Sequence, residues 1–468
     1  VKAQVRTERG NAAYDSTGAS PRLVTFSSST NTEGLQPGYT VTGVGSSNGI
    51  QDGTTIASID SATTLTLSQD TNGGALTDKT LHFGDPERVA IVNGGTTSDE
   101  TDAVVMGTSD PMLTIAVDSE TQPKLFNARR YNGDEVDGRV ISGFTFSPDL
   151  LWIKSRNTSD RHILFDSVRG VNEAQGNILT PSDNYMQSRS NMLYGHVKAF
   201  TSDGFSVEEG DSGWNQISMN DQNYIAWAWK AGGPSVSISN TGNATNITQS
   251  ASVNSGLSIT KFNGHASGVT FPHNLGDAPE FIIVKDLESD ARSWVVDHKN
   301  LANSNGYLVL SDNADEATIS GGFGASDGTN IVLGADGSFG GSTNSYICYA
   351  WTPVAGVSAF GTHTGQIDTS AYNTGVSNAV VGANGYCGFK PRWLMIKCIS
   401  DDSTSWFVVD AFRGEASAGQ MYYFESHANG SESSDTNLTA VFKDNGFTTG
   451  THASVGGSGK TYISIAFA

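Results

Sequence analysis

The chain has 468 residues, 54 of them glycine and 12 proline, and only 16% are charged. Its 48 acids against 27 bases leave a net charge of −21, so a nucleic-acid backbone or an anionic lipid surface would repel it. With 37% hydrophobic residues it can bury cores, and its composition fits neither collagen, nor a coiled coil, nor charge-driven disorder.

Helical periodicity is nearly absent. Apolar residues instead fall in short runs rich in Val, Ile, Phe, Tyr and Trp, bracketed by Gly, Asp, Asn and Ser, which is the strand-and-turn signature. No apolar stretch approaches the roughly 20 residues of a membrane-spanning helix. The opening VKAQVRTERG lacks an apolar core, so no signal peptide is expected. Cys348, Cys387 and Cys398 form no C-x-x-C pair and read as free thiols of a reducing compartment.

In chain order, residues 1–22 read as an N-terminal arm without a core. Residues 23–86 read as a small β-module for attachment or assembly, its short β runs separated by Gly and Asp turns. Residues 87–128 are a connecting β segment. A repeat then begins. GFTFSPDLLWIKSRN, NLGDAPEFIIVKDLE and GFKPRWLMIKCIS each carry a Pro six residues before a Lys: Pro148 and Lys154, Pro279 and Lys285, Pro391 and Lys397. HILFDSVRG, SWVVDHKN and SWFVVDAFRG follow, with an Asp 12, 12 and 13 residues after the Lys: Asp166, Asp297 and Asp410. Each copy closes on a strand, YIAWAWK, YICYAWT or YISIAFA. The copies are 131 and 112 residues apart, a whole domain each rather than a solenoid coil. The expected fold is therefore all-β, with tandem antiparallel sandwiches over 129–232, 254–352 and 358–468, each with its own core. The polar stretch 232–256 reads as a flexible or extended linker.

The recurring Lys and Asp invite a cross-strand pair in each copy: Lys154 with Asp166, Lys285 with Asp297, Lys397 with Asp410. Fold maintenance explains their retention in three diverged copies better than catalysis does, and Arg169 and Arg413 extend the same network. The aromatic closing strands suit a sandwich core or a sugar-stacking platform. Tyr185, Tyr194, Trp214, Tyr422 and Tyr423 lie in stretches particular to one copy and are the candidate glycan-contact loops. The Asp-Gly turns make turns or could hold Ca²⁺. The chain shows no HExxH, no phosphate-binding loop and no dinucleotide fingerprint, and neither a metal nor a cofactor is expected.

The succession F-S-P-D-L-L-W-I-K-S-R, H-I-L-F-D-S-V-R-G, D-G-F and Y-I-A-W-A-W-K-A-G-G resembles a module recurrent in tail and appendage proteins of marine tailed phages, over roughly 129–468. The stretch PGYTVTGVG…GTTIASIDSATTLTLS is similar to small β-modules of phage structural proteins. The second copy departs from the pattern, with DHKN where the others end in RG and no DGF turn. The resemblance implies a virion structural protein, a tail fibre or related appendage, with jelly-roll or concanavalin-like sandwiches and no catalytic residues. It would be made in the host cytoplasm and sit on the tail or capsid surface. Its expected partners are other virion proteins through the N-terminal region, further copies of itself (a trimer by analogy) and a host-surface glycan, with no nucleic acid and no membrane insertion. A capsid-decorating or capsid-fibre protein and a tailspike-like polysaccharide depolymerase are the alternatives.

Overall fold

The computed structural model describes residues 2–91 except 16, 18–19, 28–31, 33–34, 36, 44–48, 52–53 and 73, and residues 125–468 except 172–176, 188–194, 209–216, 240–241, 366–386 and 418–419. The fold is all-β, and every strand pairing in these regions is antiparallel. The chain divides into two units, residues 1–122 and 123–468.

The first unit is built from β1 (Lys2–Asp15), β2 (Leu23–Phe26), β3 (Thr40–Gly43), β4 (Ile56–Ser61), β5 (Thr64–Leu67) and β6 (Ala75–Ile91). Their order is β3-β6-β1-β2-β5-β4. The two edges meet through backbone bonds, Ile56 N–H to Tyr39 O at 2.9 Å and Val41 N–H to Thr54 O at 2.8 Å, so the sheet curls round into a barrel whose edge strands join at this point. Alternation places Val24, Phe26, Leu65 and Leu67 inside with Ala12, Tyr14, Leu81 and Phe83. The expected 1–22 arm is therefore corrected: residues 2–15 are an interior strand between β6 and β2, and their low apolar content hid it. Residues 87–91 complete β6, while the rest of the expected connecting segment up to 124 lies outside the described residues.

The second unit holds the three repeats. The first comprises β7 (Phe126–Asn132), β8 (Arg139–Ser142), β9 (Leu150–Ser155), β10 (Ile163–Asp166), β11 (His196–Thr201), β12 (Gly204–Glu208) and β13 (Asn223–Trp229). The second comprises β14 (Val236–Ser237), β15 (Thr245–Ser252), β16 (Leu257–Asn263), β17 (Val269–Pro272), β18 (Phe281–Asp286), β19 (Val295–His298), β20 (Gly306–Val309), β21 (Ala317–Thr318), β22 (Asn330–Leu333) and β23 (Ser345–Trp351). The third comprises β24 (Ser358–Thr364), β25 (Trp393–Cys398), β26 (Phe407–Asp410), β27 (Glu415–Ser417), β28 (Gln420–Met421), β29 (Tyr423–Glu425), β30 (Ala440–Lys443), β31 (Gly446–Thr449) and β32 (Thr461–Phe467).

One inner sheet recurs in all three: β7-β13-β9-β10, β16-β23-β18-β19 and β24-β32-β25-β26. A smaller outer sheet covers its back, β8-β12-β11, β17-β22 and β30-β31 respectively. Residues 232–256 are not a linker, because β14 and β15 extend the second inner sheet beside β16. Gln249 in β15 is buried, and its side-chain amide donates to Thr260 Oγ1 at 2.9 Å and Pro272 O at 2.8 Å; a strand whose buried face uses satisfied polar groups leaves little apolar signal. The DGF turn is the β11–β12 hairpin. Asp203 accepts the Gly143 N–H at 2.8 Å, and a Cβ on Gly204 would lie 1.9 Å from the Ile141 carbonyl oxygen, so the turn requires glycine.

β9, β18 and β25 are buried at every position. Alternate residues serve two cores. Leu151, Ile153 and Phe165 face the first outer sheet, Ile282 and Val284 the second, and Leu394 and Ile396 the third. The opposite faces of all three sheets converge in a fourth core that contains Leu150, Trp152, Trp227 and Trp229 of repeat 1, Phe281, Ile283, Tyr349 and Trp351 of repeat 2, and Trp393, Met395, Ile465 and Phe467 of repeat 3. The repeats are thus not independent beads: each has its own sandwich core, and all share a central one. An apolar cavity of about 20 Å³ lies where the three meet. Trp229 packs edge-on against Trp393 with ring centres 5.5 Å apart, and Trp351 meets Phe467 at 6.4 Å.

Candidate functional site

The repeated charged residues gather at three junctions, where each repeat meets the next. The junctions share a pattern. A backbone N–H from a late loop of one repeat donates to the carbonyl two residues past the repeated Lys of its neighbour: Gln187 to Leu287 at 3.1 Å, Glu316 to Ile399 at 3.5 Å and Glu432 to Arg156 at 2.8 Å. The loops run from repeat 1 to 2, from 2 to 3 and from 3 back to 1, so the three repeats close a ring. Beside them an indole N–H reaches across, from Trp294 to Asp183 O at 2.9 Å and from Trp406 to Val309 O at 2.9 Å. His162 holds the matching place in repeat 1, where it takes the Trp152 indole proton on Nδ1 at 2.9 Å and lies 5.8 Å from the Phe424 ring of repeat 3.

Asp166 and Asp410 occupy one structural position, opposite Leu150 and Trp393. Asp166 accepts Arg169 Nε at 2.5 Å, the Val168 and Arg169 N–H groups, and, across the junction, the Tyr349 hydroxyl at 2.7 Å. Asp410 repeats this with Arg413 Nε at 2.6 Å, the Phe412 and Arg413 N–H groups at 2.9 Å each, and the Trp227 indole at 3.1 Å. Both ion pairs are fully buried. The Arg413 guanidinium also stacks 4.2 Å from the Phe424 ring centre. Arg156 and Glu432 add a bidentate pair, at 3.0 and 2.8 Å, across the junction of repeats 3 and 1.

The expected Lys–Asp pairs do not form. The lysines sit four residues along the strand from the Asp position and hold the following turns. Lys154 Nζ donates to Ser155 O at 2.8 Å and Thr158 O at 3.1 Å, and Lys285 Nζ to Asp286 O at 2.7 Å and Ser289 O at 3.2 Å. Lys397 Nζ donates to Thr404 O at 2.9 Å and to Asn313 O of repeat 2 at 3.2 Å. Burial lowers all three ammonium groups, Lys154 to about 7 and Lys285 and Lys397 to about 8.

Asp297 is also corrected. The residue opposite Phe281 is His298, so His298 stands where Asp166 and Asp410 stand, and Leu301 where Arg169 and Arg413 do. Asp297 points to the other side, half-buried, and burial raises its carboxyl to about 6. His298 is buried against the Phe281 ring at 6.3 Å, and burial lowers it to about 3, with Lys299 reinforcing and the Ser464 backbone opposing.

Of the proposed glycan contacts, Tyr185 is half exposed, with the Arg161 guanidinium 4.9 Å from its ring centre. Tyr422 and Tyr423 are partly buried, and Tyr423 packs on Phe407 at 5.4 Å. Tyr194 and Trp214 lie outside the described residues. Tyr185 stands in the loop that reaches repeat 2, between Asp183, whose carbonyl takes the Trp294 indole proton, and Gln187, whose N–H donates to Leu287 O. In the Asp-Gly turns the carboxylates bind backbone: Asp327 takes the Thr329 and Asn330 N–H groups at 2.8 and 2.7 Å. Among the described residues no cluster of three metal-ligating side chains occurs.

The second unit is therefore a ring of three β-sandwiches tied by buried polar junctions. The family model for a domain of unknown function, DUF7483, matches residues 121–468, nearly the bounds of that unit, and the chain belongs to this family. No curated protein and no solved structure matches.

Proposed function

We propose that the chain is a structural protein of a tailed-phage particle, a tail fibre or related appendage, with the ring of sandwiches projecting outward and the N-terminal barrel attaching it to other virion proteins. The observation that carries this reading is the use made of the repeated charges. Each repeated Lys, and the Asp–Arg pairs of repeats 1 and 3, are spent inside the scaffold, on turns and junctions. Binding residues are commonly carried on loops over rigid frames, and the stretches particular to one copy suit that use. The motif resemblance over 129–468 points the same way. Tyr185, beside Arg161, is the described aromatic best placed to stack on a host-surface sugar. Because one chain buries the inner sheets of all three repeats, self-association, trimeric by analogy, would use other surfaces.

Cryo-electron microscopy of intact particles, with antibody against this chain, tests the reading. Label on tail appendages supports it. Label on the head shifts the chain to capsid decoration, and particles without it refute a virion role. Release of fragments from host envelope glycan by the purified chain would replace it with a depolymerase.

A further inference from the structure

The three junctions are built alike but not equally closed. At the junctions of repeats 1 and 2 and of repeats 3 and 1, an aromatic donor (Tyr349, Trp227) binds a buried carboxylate already held by an arginine. Such charge-assisted bonds are roughly twice as strong as neutral ones. At the junction of repeats 2 and 3 the three positions are Ile465, His298 and Leu301. Ile465 pairs with Met395 as Trp227 pairs with Trp152 and Tyr349 with Ile283. The junction also carries the longest of the three backbone bonds, 3.5 Å from Glu316 N to Ile399 O against 2.8 and 3.1 Å. Asp315 and Asp402 approach each other there: the Asp315 N–H donates to Asp402 Oδ1 at 3.2 Å, while desolvation and the neighbouring Asp402 carboxylate raise the Asp315 carboxyl. The junction of repeats 3 and 1, where no peptide link joins neighbours, instead has the extra Arg156–Glu432 clasp.

We infer that the ring has one weak seam, between repeats 2 and 3, and that the module opens there before it unfolds. Opening this seam parts the Ile465 and Met395 side of the central core from repeat 2, while the chain through 352–358 keeps the two repeats tethered.

Hydrogen exchange of the full chain under native conditions, read by mass spectrometry at the Gln187, Glu316 and Glu432 amides, tests this. Although the Lys397 ammonium still reaches Asn313 O across this junction at 3.2 Å, Glu316 is expected to exchange about tenfold faster than the other two after correction for intrinsic rates, the ratio that loss of the aromatic-to-carboxylate bond gives. A Glu316 amide as slow as Gln187 and Glu432 overturns the inference. Rebuilding the lock with Ile465→Tyr, His298→Asp and Leu301→Arg should slow Glu316 to their level. If that variant misfolds, Tyr349→Phe alone should bring the Gln187 amide up toward the rate of Glu316; an unchanged Gln187 rate also counts against the lock.

Discussion

Replacing Asp410 by Ala removes a carboxylate that accepts four donors at once: the Arg413 side chain, the Phe412 and Arg413 backbone N–H groups and the Trp227 indole. Arg413 is fully buried, so its guanidinium keeps its charge without a matching partner on that side. Breaking one half of a buried pair costs about 3–5 kcal/mol. The structurally equivalent His298 holds no such pair, so His298→Ala should cost about 1–2 kcal/mol, mostly lost packing. All eight tryptophans fall between residues 152 and 406, so tryptophan fluorescence during urea unfolding reports the second unit alone. Asp410→Ala should lower the midpoint by on the order of 1 M, clearly more than His298→Ala. Asp410→Leu with Arg413→Met, which removes both charges, should recover much of the loss. Equal costs for Asp410→Ala and His298→Ala, or a double variant no better than Asp410→Ala, would refute the claim that these residues lock the ring.

The other outcomes follow from the same geometry. Arg156→Ala should cost about 2 kcal/mol in urea unfolding by breaking the clasp to Glu432, and exchanging the charges, Arg156→Glu with Glu432→Arg, should restore part of it. Lys154 loses its proton near pH 7 when folded but near 10.5 when unfolded. The unfolded chain therefore binds more protons in that window, the penalty for the buried ammonium is greatest below pH 7, and stability rises with pH above it. The urea midpoint should accordingly climb more steeply from pH 7 to 9 in the wild type than in Lys154→Met; parallel profiles would contradict this. Asp297 titrates near 6 when folded against 3.8 unfolded, so the folded state holds the extra proton and stability falls as pH rises through that range. Asp297→Asn should stabilise the protein at pH 7 by about 1 kcal/mol, a discounted figure for a half-buried carboxyl, and leave the midpoint unchanged at pH 3.5.

Much of the second unit was legible in the sequence. The Pro-to-Lys spacing and the closing aromatic strands located the inner-sheet strands β9, β18, β25, β13, β23 and β32, because each repeats a run whose side chains are buried. The central core was written there too, in a form easily misread. LLWIK, FIIVK and WLMIK are continuous rather than alternating apolar runs, and a strand apolar on both faces has something packed on each. Reading that pattern for two cores would have turned three tandem sandwiches into a ring. The Lys-to-Asp count misled by a single residue. Repeat 1 is one residue shorter between its Lys and β10, so Asp297 shares the spacing of Asp166 while His298 shares its place. Aligning Trp294 with Trp406 exposes the offset. The Lys–Asp pair itself failed because Lys154 lies opposite Ile225, four positions along β9 from the site of Asp166, and no sequence pattern shows that an ammonium caps its own turn. β1 and β15 were missed because both are polar strands: β1 is held largely by its pairing with the distant β6, and β15, although it pairs with the next strand β16, buries satisfied polar groups such as Gln249 in place of an apolar run.

Native-state hydrogen exchange in rising urea tests most directly whether the three repeats are one structural body. The slowest amides of β13, β23 and β32 should converge on a single opening free energy, since each strand faces the shared core. Three separate isotherms, each strand released at its own urea concentration, would mean that the sandwiches fold independently and that the central core does not unite them.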